Sequence, residues 1–303
     1  MKNIIKKSYK NSKAVMAGAF TLGIAGLVIA TTTSNFGVLA ATTVNLGTAD
    51  SFAVLAGSAI TNSGPSVISG NLGISPGSAV TGFPPGSIIG TQQVANPMAV
   101  QAQTDLTTAY SNAAGQTPVS TIPTELGGTI KSAGVYDSAA GTFQITGTLT
   151  LDAAGDPNAI FVFKTNSTLI TSGTSNVVLL NSAQACNVFW QVGSSATLGT
   201  NSTFKGNILA LTSATLTTGT KVEGRVLARN GAVTLDTNII TRATCVTPSS
   251  SSTSTVVPTT SPKLPNTGID SEDKTSTPWS IIIPTGIFAV LFPLYLAQRK
   301  PLK

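Results

Sequence analysis

Residues 207–214, NILALTSA, and residues 225–232, RVLARNGA, repeat one pattern at an offset of 18 residues. Each copy joins a short apolar run to a turn that contains Asn, Ser or Gly, and a third copy, 187–198, precedes them with a small insertion. Some 18 residues hold three short strands and three turns, which is the length of one β-helix coil. In such a solenoid the strands of successive coils stack about 4.8 Å apart and bury a stripe of aliphatic side chains. The repeat therefore predicts a parallel β-helix.

The same pattern extends towards the N-terminus, in the apolar runs 52–60, 71–74, 143–151 and 161–169. An antiparallel sandwich or barrel is the alternative fold, but its hairpins require two-residue turns of the Asn-Gly type at alternating positions. Ser-Ala-Thr-Leu instead recurs in one register at 195–198 and 213–216. This recurrence favours parallel stacking.

One segment departs from the pattern and carries the signals of a helix. Asn96 is suited to cap a helix N-terminus and Pro97 to occupy the first helical position. Apolar residues then recur at helical spacing up to Gly115. The sequence predicts an amphipathic helix over 97–114 that lies against the solenoid. The Pro- and Gly-rich segment 116–134 is predicted to be a capping loop that shields an exposed edge.

The beginning of the chain has the composition of an export signal. Residues 1–40 combine a basic start, an apolar stretch and small residues placed for signal peptidase, which predicts a secretory signal peptide cut after Ala40 or Ala41. An N-terminal membrane anchor is the alternative, and the small residues within the stretch argue against it.

The end of the chain has the order of an anchoring signal. Residues 247–263 form a Ser/Thr/Pro linker that is predicted to stay extended. In 264–303 there follow LPNTG, an apolar run over 279–296 and a basic tail. This order resembles the cell-wall sorting signal of Gram-positive bacteria. The resemblance implies that a sortase cuts between Thr267 and Gly268 and joins Thr267 to the peptidoglycan.

The same resemblance implies that the membrane is contacted only transiently, through the apolar run, and that the middle domain is exported and displayed on the outer face of the cell wall. A permanent transmembrane helix is the alternative. Pro284 and Pro293 interrupt the run and weaken that alternative, although membrane helices do tolerate proline.

Composition excludes several classes of function. The chain carries +6 net charge, but residues 42–246 hold seven Lys or Arg and eight Asp or Glu, which gives 7 − 8 = −1. A domain without a basic patch has nothing to bind phosphates, so no nucleic-acid partner is expected. Histidine is absent, which removes the commonest general base and metal ligand. With no ligand cluster or phosphate loop, we expect a monomer that needs neither metal nor cofactor.

Two cysteines, Cys186 and Cys245, lie in the part of the chain that is predicted to be exported. An oxidising compartment favours one disulfide between them. A redox pair of thiols is the alternative, but nothing in the sequence resembles Cys-x-x-Cys.

Several blocks, in order, resemble a known family over residues 44–246. They are 46–57 (LGTADSFAVLAG), 109–114 (AYSNAA), 126–129 (LGGT), 185–193 (ACNVFWQVG), 204–210 (FKGNILA) and 224–229 (GRVLAR). The family is that of the microbial ice-binding proteins that share a single domain of this length. The resemblance implies a right-handed β-helix of triangular section with one helix alongside, wound discontinuously so that early and late coils stack together. It also implies that the domain binds ice.

The threonine content supports that activity on physical grounds. Thr makes up 33 of the 205 residues from Thr42 to Val246. It carries a methyl and a hydroxyl on a stiff β-branched stem, so a flat face of such groups at fixed spacing can order water into an ice-like layer. Alternation along Ser-Ala-Thr-Leu places Ala and Leu inward and Ser and Thr outward. The predicted ice-binding ladder is Ser58, Ser78, Thr148, Thr150, Thr168, Ser195, Thr197, Ser213, Thr215 and Thr217.

This ladder has one irregularity and one competitor. In the final coil the equivalents of Ser213 and Thr215 are Gly231 and Val233, which leaves the register there open. A second ladder borders the turns and is the alternative face: Ser63, Ser66, Thr200, Thr203, Thr218, Thr220, Thr237 and Asn238. For any single Thr, ordinary strand propensity on a solvated face is the competing explanation.

Two other functions compete with ice binding. A polysaccharide-acting enzyme on a β-helix needs clustered carboxylates, but the acids are scattered, and the one close pair, Asp152 and Asp156, sits in a turn sequence that explains it. We therefore expect no enzyme. A wall-displayed adhesin for a protein or glycan is the other alternative, and it is compatible with ice binding.

Overall fold

The computed structural model describes residues 41–246. The predicted signal peptide, linker and sorting signal lie outside these described residues. One α-helix, α1 (Pro97–Gly115), and two short 3-10 turns, Gly47–Ser51 and Ala185–Asn187, accompany the strands. The strands are β1 (Phe52–Ala56), β2 (Ala59–Ser63), β3 (Val67–Ser69), β4 (Asn71–Ile74), β5 (Ala79–Thr81), β6 (Ser87–Ile89), β7 (Gln92–Val94), β8 (Ser120–Ile122), β9 (Ile130–Ser132), β10 (Gly134–Ser138), β11 (Phe143–Ile145), β12 (Thr148–Asp152), β13 (Phe161–Thr165), β14 (Leu169–Thr171), β15 (Asn176–Leu180), β16 (Val188–Val192), β17 (Ala196–Leu198), β18 (Thr203–Ala210), β19 (Ala214–Leu216), β20 (Lys221–Ala228), β21 (Val233–Asp236) and β22 (Ile239–Thr241).

The strands stack in parallel to form three faces. The a face has the order β8, β10, β13, β16, β18, β20, β1, β4, β7, and the b face has the order β11, β14, β17, β19, β21, β2, β5. The c face has the order β9, β12, β15, β18, β20, β22, β3, β6. Strands β18 and β20 serve two faces because each turns a corner at a glycine, Gly206 (φ +112°) and Gly224 (φ +151°). The predicted parallel β-helix is confirmed.

The winding is discontinuous along the chain. The N-terminal coil stacks directly on the C-terminal one, with Val54 beside Val226 on the a face. On the b face, Thr61 pairs with Thr234. After β7 the chain enters α1, which runs over the a face and leads to β8 at the other end of the stack. Early and late coils therefore share one solenoid, as the family resemblance implies.

The helix lies where the sequence predicts it, over Pro97–Gly115 instead of 97–114. Asn96 caps it, because its side chain accepts a hydrogen bond from the backbone N–H of Ala99 (3.0 Å). The buried side of α1, which includes Leu106, packs on outward-pointing residues of the a face such as Phe189 and Leu227. The a face is therefore covered by protein.

A carboxylate fastens the helix to the start of the domain. Asp105 on α1 accepts hydrogen bonds from the hydroxyl and the backbone N–H of Thr48, both at 2.7 Å. The Thr48 side-chain bond first, and then its backbone bond, hold the pKa of Asp105 below its usual value. The ionised carboxylate therefore stabilises the contact between α1 and the first 3-10 turn.

The interior of the solenoid is aromatic in the coils that precede the repeat. Trp190 stacks on Phe163 with ring centroids 4.3 Å apart, and Phe204 lies on its other side at 5.2 Å. The remaining coils are filled mainly by aliphatic residues such as Val226 and Ile240. Aromatic pairs of this kind stabilise a core beyond their buried area.

A buried arginine ties the N-terminal segment to the late coils. Arg225 is 2% exposed; its Nη2 donates to Asp50 Oδ1 (2.6 Å) and its Nη1 to Asn207 Oδ1 (2.8 Å). Burial lowers the pKa of Arg225 to about 10, and the Asp50 carboxylate opposes that shift. The guanidinium therefore remains charged at neutral pH.

Two sequence predictions at the edges of the domain meet different outcomes. Cys186 and Cys245 form the predicted disulfide, with their Cα atoms 5.4 Å apart. The predicted capping loop over 116–134 is wrong in part, because the segment contains β8 and β9. It buries Leu126 and pairs with β10 and β12, so it is the terminal coil of the stack. Within residues 41–246 no helix is long and apolar enough to cross a membrane.

Candidate functional site

The b face carries one threonine on each of five consecutive strands. Pairing is in register from Thr197 to Thr215, on to Thr234, then to Thr61 and finally to Thr81. With neighbouring strands about 4.8 Å apart, this threonine file is about 19 Å long. The file crosses the junction between the late and the early coils.

Alternation along the strands directs these side chains outward. In β17 and β19 the residues on either side of the file, for example Ala196 and Leu198, are buried, as the sequence predicts. Thr197, Thr234, Thr61 and Thr81 are exposed and Thr215 is half-buried. Within the part of the chain that the structure describes, none of the five hydroxyls forms a hydrogen bond with protein. The file therefore presents free hydroxyls and methyls to the solvent.

The two flanks of the file differ from it, because their hydroxyls are engaged. On one flank, Ser195 Oγ accepts from the backbone N–H of Ser213 (3.3 Å), and Ser213 Oγ accepts from that of Ala232 (3.2 Å). On the other flank, Thr217 Oγ1 donates to Leu198 O (2.8 Å). These side chains mainly brace neighbouring coils.

The predicted ladder is only partly on the b face. Thr148 and Thr150 lie in β12 on the c face, paired with β15, so their placement in the ladder is wrong. The chain turns from the b face to the c face at Gly147. The local sequence is rich in glycine and did not show that this glycine marks a corner and not a position inside a strand. Ser58 and Ser78 each stand one residue before a b-face strand, at the turn, because Ala59 and Ala79 take the flank positions there. Thr168, Ser195, Thr197, Ser213, Thr215 and Thr217 lie on or directly beside the b-face strands.

Three file members escaped the sequence analysis. The turn before β21 has four residues (229–232) where the turn before β19 has three (211–213), so Val233 pairs with Ala214 and Thr234 occupies the file. The apparent irregularity at Gly231 and Val233 is this one-residue shift. Thr61 and Thr81 were missed for a related reason, since Ala59 and Ala79 hold the flank positions that were predicted for Ser58 and Ser78, one residue earlier.

The chain matches a family model described as ice-binding-like over residues 54–241. An ice-binding protein of Nostoc sp. (strain HG1) is 51% identical over 200 residues, which are 65% of this chain and 74% of that protein. The chain belongs to the ice-binding-like family. A crystal structure of an ice-binding protein from an Antarctic biological consortium is 45% identical with a TM-score of 0.67, and the match covers 68% of this chain and 93% of that one. One from the Antarctic ascomycete Antarctomyces psychrotrophicus is 40% identical with a TM-score of 0.64, covering 66% and 98%.

In this member of the ice-binding-like family, the residues of the alternative ladder do not form one continuous surface. Ser66, Thr220 and Asn238 are fully buried at the corner between the b and c faces. Thr203 points out from the c face, where it pairs with Lys221. Ser63, Thr200, Thr218 and Thr237 are exposed around the same corner, so the eight residues do not form one flat array.

The c face is exposed but irregular in this ice-binding-like domain. One of its files reads Thr150, Val178, Lys205, Glu223 and Thr241 along the stack. Lys205 and Glu223 form an ion pair across neighbouring strands. The c face therefore offers charges and mixed side chains where the b face offers one repeated group.

Enzyme-like features are accounted for by turns. Asp152 Oδ1 accepts from the backbone N–H of Ala154 and from Asn181 Nδ2, and Asp156 Oδ1 accepts from the backbone N–H of Asn158. Across residues 41–246 no group of three or more Cys, Asp or Glu could hold a metal ion. An open cavity of about 520 Å³ lies beside the disulfide and Arg225, and the Nε, Nη1 and Nη2 atoms of that guanidinium already donate to Asp50 and Asn207.

Proposed function

We propose that the domain binds ice, and that it does so through the threonine file on the b face. The relatives named above are ice-binding proteins. The observation that carries the proposal for this face is the run of five in-register threonines, Thr197, Thr215, Thr234, Thr61 and Thr81, whose hydroxyls have no partner within the described residues.

A crystal surface is a repeating partner, so it selects for repetition in the protein. The threonine file repeats one methyl and one hydroxyl at the strand spacing of about 4.8 Å. Each such contact is individually weak, and affinity comes from the sum over the flat area. The c face offers no group that repeats, and the a face is covered by α1. The b face is therefore the surface that fits a lattice best.

The natural setting that we propose is display on a cell wall. The LPNTG sequence, the apolar run and the basic tail support it, together with the export signal at the other end. The described chain ends at Val246, close to Cys186 at the corner between the c and a faces. That corner lies opposite the b face, so the described chain ends on the side away from the threonine file.

The first experiment is partitioning of the exported domain into a slowly growing ice crystal, followed by measurement of thermal hysteresis. Thr215→Tyr should reduce both sharply, because a bulky ring lifts the face off the lattice. Thr203→Tyr on the c face is the matched control and should retain both. Loss at Thr203 with none at Thr215 would move the site to the c face.

The wall-anchored adhesin is the second candidate function, and the sorting signal is the observation that favours it. A wild-type domain that neither shapes crystals nor enters ice would refute ice binding and leave adhesion to a protein or glycan as the function to test.

A further inference from the structure

Buried polar side chains line the corner between the b and c faces, at the edge of the threonine file. Six of them form hydrogen bonds from one coil to the next, and all are less than 9% exposed. We call this set the corner spine: Thr171, Ser175, Thr220, Asn238, Ser66 and Asn62.

The late coils are joined by three of these side chains. Thr171 Oγ1 accepts from the backbone N–H of Gly199 (2.8 Å), which links β14 to β17. Thr220 Oγ1 lies 3.0 Å from Gly199 O, on the coil of β17, and 2.9 Å from Thr217 O of its own coil, so its one proton is shared between these two carbonyls. Asn238 Nδ2 donates to Thr217 O (2.8 Å), which links β21 back to β19.

The remaining interfaces are joined in the same way. Ser175 Oγ donates to Ile145 O (2.8 Å) between the coils of β14 and β11. Ser66 Oγ accepts from the backbone N–H of Asn238 (2.9 Å) at the junction of β21 with β2. Asn62 Nδ2 donates to Gly82 O (2.8 Å) between β2 and β5. All six strand-to-strand interfaces of the b face thus carry a buried side-chain bond.

The opposite edge of the b face lacks this continuity. Within the described residues its inter-coil side-chain bonds reach no further than β21: Thr165 Oγ1 donates to Gly141 O, and Thr168, Ser195 and Ser213 form bonds of 3.2–3.4 Å. At the junction of β21 with β2, the described residues of that edge show backbone bonds only, such as Ser58 N–H to Gly231 O (3.1 Å). Side-chain bonds therefore join all the coils along only one edge of the file.

We propose that the corner spine is a positioning device for ice adsorption, with Thr220 and Asn238 as its central positioning residues; this rests on the proposed function. The acceptors Gly199 O and Thr217 O lie two residues beyond the file members Thr197 and Thr215. A buried hydrogen bond is stronger than an exposed one, so losing it weakens the link between neighbouring coils at this corner. The corner then relaxes, and the lattice spacing of the file is lost with it.

Thr220→Val tests this role, because it removes the hydroxyl and retains the branched shape. Thermal hysteresis, measured near 0 °C at equal concentration with the fold checked by circular dichroism, should fall roughly two- to fivefold as preorganisation is lost. Thr220→Ser restores the hydroxyl and should retain most of the activity. Leu106→Ala, which cuts packing between α1 and the a face, is the control for stability loss far from the file.

Each result has one meaning. Wild-type hysteresis in Thr220→Val, or an equal loss in Leu106→Ala, would overturn the positioning role while leaving ice binding intact. Absence of hysteresis in the wild type would instead refute the proposed function, and the positioning role with it.

Discussion

Removing the disulfide separates the stability of the solenoid from its proposed function. The perturbation is the double substitution Cys186→Ser with Cys245→Ser. The bridge spans 59 residues in sequence, and it joins the last described segment to the turn before β16. The chain-entropy relation for a loop of this length gives a loss of about 4 kcal/mol at 25 °C.

That free energy converts into a large thermal shift. For a domain of this size, each kcal/mol lowers Tm by about 2–4 °C, so the variant should melt about 8–16 °C below the wild type. The contacts that remain at the corner are two hydrogen bonds between Gln184 and the exposed Val246, which cannot replace the bridge. Reduction of the wild type should reproduce the shift, and peptide mapping without reductant should show the linked pair beforehand.

Thermal hysteresis near 0 °C should be unchanged in the same variant. The bridge lies at the corner opposite the b face, and a domain that melts well above 0 °C is still folded in the assay. A midpoint equal to that of the wild type would refute the entropic reasoning. Lost hysteresis in a folded variant would instead show that the site extends to the disulfide corner.

Three further predictions concern single substitutions. Ile170 occupies the position next to Thr197 in the threonine file, so Ile170→Thr should extend the file from five threonines to six. The file becomes about a quarter longer, and thermal hysteresis should rise by a similar fraction. Unchanged or lower hysteresis would contradict the file as the site. Asp105→Asn should destabilise the domain at pH 6. The difference in unfolding free energy between variant and wild type should shrink as the pH falls through the lowered pKa of Asp105, below 3.8, because the carboxylate stabilises the fold only when it is ionised. A difference that does not change with pH in denaturant titrations would refute this. Gly224→Ala should cost at least about 3 kcal/mol of unfolding free energy, since its Cβ would stand 1.8 Å from Gly206 O at φ +151°, whereas a near-wild-type midpoint would show that the corner can shift.

The fold was predictable because each copy of its repeat is a stretch of consecutive residues. Ser-Ala-Thr-Leu at 195–198 and 213–216 keeps one register, and β17 and β19 do pair with Thr197 beside Thr215. Asn96 and Pro97 are local signals, so the helix start was predicted to the residue. The disulfide followed from there being only two cysteines.

The site was predictable only where the offset stays constant. A turn longer by one residue moves every following side chain to the opposite side of the strand, which hid Thr234. The corner residues were misassigned for a different reason: Thr220 and Asn238 have polar side chains, and only the fold shows that backbone carbonyls from neighbouring coils surround them. The discontinuous winding, which brings Thr61 beside Thr234, cannot be predicted from local sequence either.

The length of α1 limits the number of coils in the solenoid. Nine strands make up the a face, so the stack is about 38 Å tall. The 19 residues of α1 cover about 28 Å of this height, and the short connectors 95–96 and 116–119 cover the rest. Any coil added to the b face would lengthen the stack by about 4.8 Å, and the return path would then need about three more helical residues. The number of threonines that this chain can align is thus limited by the length of a segment that never touches them.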